Sequence, residues 1–101
     1  MISFETLYEE YEQLVILKGY KTGGGTQYLQ AISEFFSFLR QRGYMSFEVI
    51  SEDMVAYYEY VSTRPNQRRA GTLSQSSINH HLFAIKILFD YVLRSGYMEA
   101  L

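Results

Sequence analysis

The polar side chains with the greatest chemical potential in this chain are crowded between Arg64 and Lys86. Arg64, Arg68, Arg69 and Lys86 supply positive charge there, Ser74, Ser76 and Ser77 hydroxyls, Gln75 and Asn79 amides, and His80 and His81 imidazoles. No Asp or Glu occurs from Arg64 to Phe89, although the whole chain has a formal net charge of −2. A local basic field of this kind suits an anionic partner even on a slightly acidic protein. The adjacent histidines are a poor metal site. Neighbours on a helix project about 100° apart and cannot grip one ion as an i, i+4 pair does, and no carboxylate lies within four residues. His81 falls toward the apolar side of its helix, as a partly buried structural residue, and His80 toward solvent or a ligand. No Ser–His–acid or paired-carboxylate arrangement can be read, and the ten tyrosines fall mostly at core or capping positions. The chain is therefore expected to be no enzyme by itself, and to need neither metal nor cofactor.

The second cluster is Lys21-Thr22-Gly23-Gly24-Gly25, followed by Thr26, Gln27 and Gln30. A phosphate loop would need Gly-Lys-Ser/Thr after the glycines and a strand before them, and both are missing. The triplet reads as a turn.

Helices must position these groups. Ser3 opens the first, whose stripe is Phe4, Leu7, Tyr11 and Leu14 and whose end is Lys18-Gly19-Tyr20. The second runs from the glycine turn to about Arg42, with Tyr28, Ile32, Phe35 and Leu39 on one face. Ser51 is expected to cap a third, with Glu52 and Asp53 in its first turn and Ile50, Met54, Tyr57 or Tyr58, and Val61 inward. After the polar loop 64–72, Leu73 to Leu93 forms the fourth and most enclosed helix. Ser74 is its cap, Leu73 and Ile78 are spaced as a staple, and Ile78, Leu82, Ile85, Phe89 and Val92 share a face. Nothing reads as strand. At 101 residues, without cysteine and with 17% aromatic residues, the chain is one all-α domain able to bury a core without disulfides. No apolar run spans a membrane, and a soluble, cytoplasmic protein is expected.

Tyr28-Leu-Gln-Ala-Ile-Ser-Glu-Phe-Phe-Ser-Phe-Leu39 with Arg42-Gly43 resembles the second helix of the core-binding domain of tyrosine recombinases. That family includes phage and transposon integrases and Xer-type enzymes. Ser77-Ile-Asn-His-His-Leu-Phe-Ala-Ile-Lys86, with Leu88-Phe89-Asp90-Tyr91 and Gly96-Tyr97, is similar to the family's last core-binding helix, and Glu52-Asp53 to the start of its third. The resemblance spans essentially the whole chain. It implies a four-helix SAM-like orthogonal bundle forming half of a C-shaped clamp around double-stranded DNA, with the starts of the second and fourth helices (22–30 and 72–86) at the major groove. On that reading Lys21, Arg64, Arg68, Arg69 and Lys86 neutralise phosphates. Thr22, Thr26, Ser74, Ser76 and Ser77 bond phosphate oxygens, and Gln27, Gln30, Gln75, Asn79 and His80 read base edges. Gly24 replaces a frequent family threonine, and His80 and His81 stand where arginines are common. Neutral histidines would bind DNA less strongly, so binding is expected to tighten toward pH 6.

By the same resemblance, the catalytic domain and its nucleophilic tyrosine would follow a linker near Leu101, outside this chain. The fragment is expected to be monomeric alone, to bind DNA no more tightly than roughly micromolar, and to meet other recombinase protomers on DNA. The alternative is a helical protein-interaction module without DNA binding, using an exposed patch around Phe83 and Ile87.

Overall fold

A computed structural model describes residues 2–19, 23–49, 51–65 and 71–98. They form four helices: α1 (Phe4–Leu17), α2 (Gly23–Gln41), α3 (Ser51–Thr63) and α4 (Gln75–Arg94). An antiparallel bridge between Pro65 and Thr72 is the sole β-type pairing among the described residues, and it clasps the two ends of the loop between α3 and α4.

The caps follow from local sequence. Ser3 Oγ accepts the Thr6 N–H at 3.1 Å, and Ser74 Oγ accepts the Ser77 N–H at 3.1 Å, each satisfying a first-turn donor. α2 and α4 end in the same way. Gly43 (φ 99°) and Gly96 (φ 75°) adopt the left-handed conformation, and the following tyrosine N–H reaches back to Leu39 O (3.2 Å) and Val92 O (3.1 Å). This pattern is the Schellman motif. Its tyrosines then reach other helices: Tyr44 donates to Asp53 Oδ2 at 2.6 Å, and Tyr97 to Glu10 Oε1 at 2.8 Å.

α2 packs on all three other helices, so it shares with α4 the central place the sequence reading gives to α4 alone. Phe35, wholly buried, lies edge-on to Tyr57 at 4.9 Å and to Phe89 at 6.3 Å, and Phe36 meets Phe4 at 5.0 Å. Phe47, in the connector before α3, completes this aromatic centre against Phe36 and Phe89. Its N–H donates to Ile2 O.

Several details differ from expectation. α2 starts within the glycine triplet, because glycine permits a turn without enforcing one. Ser51 is the first residue of α3 rather than the residue before the helix, and position 50 lies outside the described residues. Tyr57 faces inward and Tyr58 is exposed. Val15 closes the α1 stripe, with Leu14 only partly buried. Ile87 is buried, leaving Phe83 alone on the patch proposed for a protein partner.

Candidate nucleic-acid interface

The amino-terminal halves of α2 and α4 are joined by a ring stack. Tyr28 and His80 lie 4.6 Å apart at 16° between planes, and Phe83 is tilted against Tyr28 at 6.0 Å. His80 is thus laid against α2 and only partly exposed, since the Tyr28 ring covers one flat face of the imidazole. Its Nε2 is buried without a hydrogen-bond partner among the described residues. Burial lowers its pKa from the ordinary value. Around the stack, Gln27 and Gln30 of α2 and Gln75, Ser76, Asn79 and Lys86 of α4 are exposed. Gln75 Nε2 donates to Asn79 Oδ1 at 3.0 Å, one helical turn on. Ser74 and Ser77 are engaged with each other, their hydroxyls 3.2 Å apart, so their first task is capping. Thr26 belongs to α2, but its side chain, like Lys21, Thr22, Arg68 and Arg69 altogether, lies outside the described residues.

Beneath this surface sits a carboxylate that the acid-free run from 64 to 89 does not reveal. Arg64 donates through Nε to Glu34 Oε2 at 2.5 Å and through Nη2 to Oε1 at 3.0 Å, and its Nη1 bonds Pro65 O at 2.8 Å. The guanidinium is therefore neutralised within the protein. The Tyr60 phenol nearby is raised, by burial first and by the Glu34 carboxylate second. His81 completes the cluster, its Nδ1 3.4 Å from the Tyr57 hydroxyl and its Nε2 4.0 Å from Glu34. Desolvation lowers the His81 pKa, Glu34 opposes that, and Arg64 and His80 add to it. His81 is thus the partly buried structural histidine expected from its helix position. Both histidines favour the neutral state more than free imidazole does. Glu34 itself left one trace in the sequence: it is the sole carboxylate between Glu12 and Glu48.

Other charges are also paired inside the fold. Arg42 Nε meets the buried Asp53 at 2.9 Å, and Arg40 bonds Glu5 at 3.1 Å while lying over the Phe4 ring. A shallow groove between α1 and α2, lined by Phe4, Glu5, Tyr8, Glu9, Ser33, Phe36 and Arg40, carries more negative than positive charge and suits no polyanion. Among the described residues no three His, Asp or Glu gather as a metal site, and no helix is long and apolar enough to cross a membrane.

Comparison with known families places these features. The family described as phage integrase, N-terminal SAM-like domain, matches residues 8–96, which takes in α2, α3 and α4 entirely and most of α1. Neither the curated proteins nor the solved structures hold a significant match.

Proposed function

The chain belongs to the phage integrase N-terminal SAM-like domain family, and from that premise we propose that it grips duplex DNA as half of a recombinase clamp. The observation that carries the reading is the Tyr28–His80 stack, which makes the amino-terminal halves of α2 and α4 one surface. That surface offers amides from both helices and the Ser76 hydroxyl from α4, and Lys86 extends it along α4. Gln75 and Lys86 are eleven residues apart, about 16 Å along the axis, enough to reach from a groove to its flanking phosphates. Lys21, Arg68 and Arg69 flank the same segments in sequence and add phosphate contacts. Arg64 contributes chiefly by anchoring the loop to Glu34.

Strand cleavage and rejoining would belong to a separate catalytic domain, and other protomers would meet this one on the DNA. An NMR titration with a short mixed-sequence duplex, at low and then moderate salt, tests the proposal. Shifts are expected at Gln27, Gln30, Gln75 to His80 and Lys86, fading as salt rises. Shifts confined to the exposed Val55 and Tyr58 of α3, or none in a folded sample, would overturn it.

A further inference from the structure

We propose that Gln75 and Asn79 act as one unit that selects adenine over guanine in the major groove, an inference that rests on the DNA-binding reading of α4. Both side chains are exposed, and they are linked by the 3.0 Å bond from Gln75 Nε2 to Asn79 Oδ1. Each amide carries one acceptor oxygen and one donor NH2 group. The link uses one N–H of Gln75 and one lone pair of Asn79 Oδ1, which leaves Gln75 Oε1 and Asn79 Nδ2 as the two polar atoms not engaged in it. Exchanging O and N in both amides preserves the bond and reverses its direction. In either orientation the two unlinked atoms of the pair are one acceptor and one donor.

Adenine is the base whose major-groove edge answers that pattern, with its N6 amino group as donor and N7 as acceptor. Guanine presents two acceptors, O6 and N7, so one end of the linked pair would face it acceptor to acceptor. A solitary amide escapes such a clash by rotating. The linked pair is restrained, because a rotation by one amide alone breaks the bond between them. Discrimination then comes as much from the penalty against guanine as from attraction to adenine.

The surroundings hold the unit in place. Ser74 caps the turn on which Gln75 sits, and the stacked His80 ring fixes the residue after Asn79 against α2. No carboxylate in the run from Arg64 to Phe89 competes for the Asn79 donor. Such prior ordering lowers the cost of fixing rotatable amides on binding.

The test is selection of a random-sequence 30-base-pair duplex pool by the 101-residue chain at low salt, followed by sequencing of the retained DNA. One position is expected to favour adenine over guanine by roughly fivefold to a hundredfold, the range of a single two-bond base contact. Asn79→Ala and Gln75→Ala should each bind the selected duplex more weakly and lose that preference, while the salt slope, set by phosphate contacts, is kept. Replacing adenine with 7-deazaadenine at the selected position should weaken binding of the parent chain and leave both variants unaffected. Retention of the pool with no adenine preference, or a preference that survives Asn79→Ala, overturns the adenine assignment and leaves DNA binding intact. Failure to retain any duplex overturns both.

Discussion

Replacing Glu34 by Gln separates the fold's needs from those of the surface above it. The substitution nearly keeps the side chain's shape but removes the charge opposite Arg64. The two side chains are only 21% and 13% exposed, so the abandoned guanidinium has little water to turn to. Removing one partner of a fully buried pair costs about 3–5 kcal/mol. Residual solvent access and the one acceptor retained by Gln reduce this to about 2 kcal/mol. For a domain near 100 residues that is a fall of roughly 8–16 °C in melting temperature. The assay is urea unfolding followed by circular dichroism at pH 7.5, on the parent, Glu34→Gln, Arg64→Met and the double variant. The double-variant cycle should show a coupling of at least about 1 kcal/mol. If the clamp reading holds, Glu34→Gln should also bind duplex DNA more tightly, since a guanidinium beside the 64–72 loop is no longer neutralised. A Glu34→Gln protein within about 0.5 kcal/mol of the parent would refute the reasoning, because the pair would then be behaving as an ordinary solvated one.

Three further outcomes follow from particular contacts. The folded state lowers both histidine pKa values, so below about pH 6.5 the unfolded chain binds more protons. Stability is therefore full above that pH and declines as pH falls below it. Urea midpoints at pH 7.5 and 5.5 should show this, with a smaller decline in His81→Gln. The same lowering displaces any histidine-driven tightening on DNA to more acidic pH than free imidazole would give. Gly43→Ala should cost about 1–2 kcal/mol through its backbone alone, because φ is 99° and no atom lies within 4 Å of an added Cβ. Gly43→Asn should lose less in the same unfolding assay. The Tyr97 phenol, hydrogen-bonded to Glu10, is pushed up to about 12. Ultraviolet titration should find this late-ionising tyrosine in the parent, and find it shifted toward the ordinary value in Glu10→Gln.

The features legible in the sequence are those made by neighbours along the chain. Ser3 and Ser74 as caps, Gly43 and Gly96 as helix stops, and the four helices themselves need only the residues of one or two turns. Glycine was a poorer guide at 23–25, where it is compatible with both a turn and a helical first turn. What escaped the sequence was pairing at a distance: Glu34 with Arg64, Asp53 with Arg42 and Tyr44, and Glu10 with Tyr91 and Tyr97. Asp53 illustrates the reason. Its place in the first turn of α3 suggests a solvated charge near the helix dipole, and nothing local announces that Arg42 and Tyr44 will cover it to 1% exposure. The candidate surface divides in the same way. The amides of α4 were visible as a pattern, but the half-buried state of His80 depends on Tyr28 of another helix.

The matched glycine–tyrosine endings of α2 and α4 also bear on the order in which the chain assembles. Tyr44 meets Asp53 across nine residues, whereas Tyr97 meets Glu10 across 87. For a flexible chain the chance of such an encounter falls as the three-halves power of the separation, so the second is on the order of thirtyfold rarer. The first clasp can form while α2 and α3 are finding each other. The second must wait until nearly the whole chain has been drawn in, and it joins the first helix to the last. Two copies of one local device thus act at opposite ends of folding, one as an early fastening and the other as the closing one.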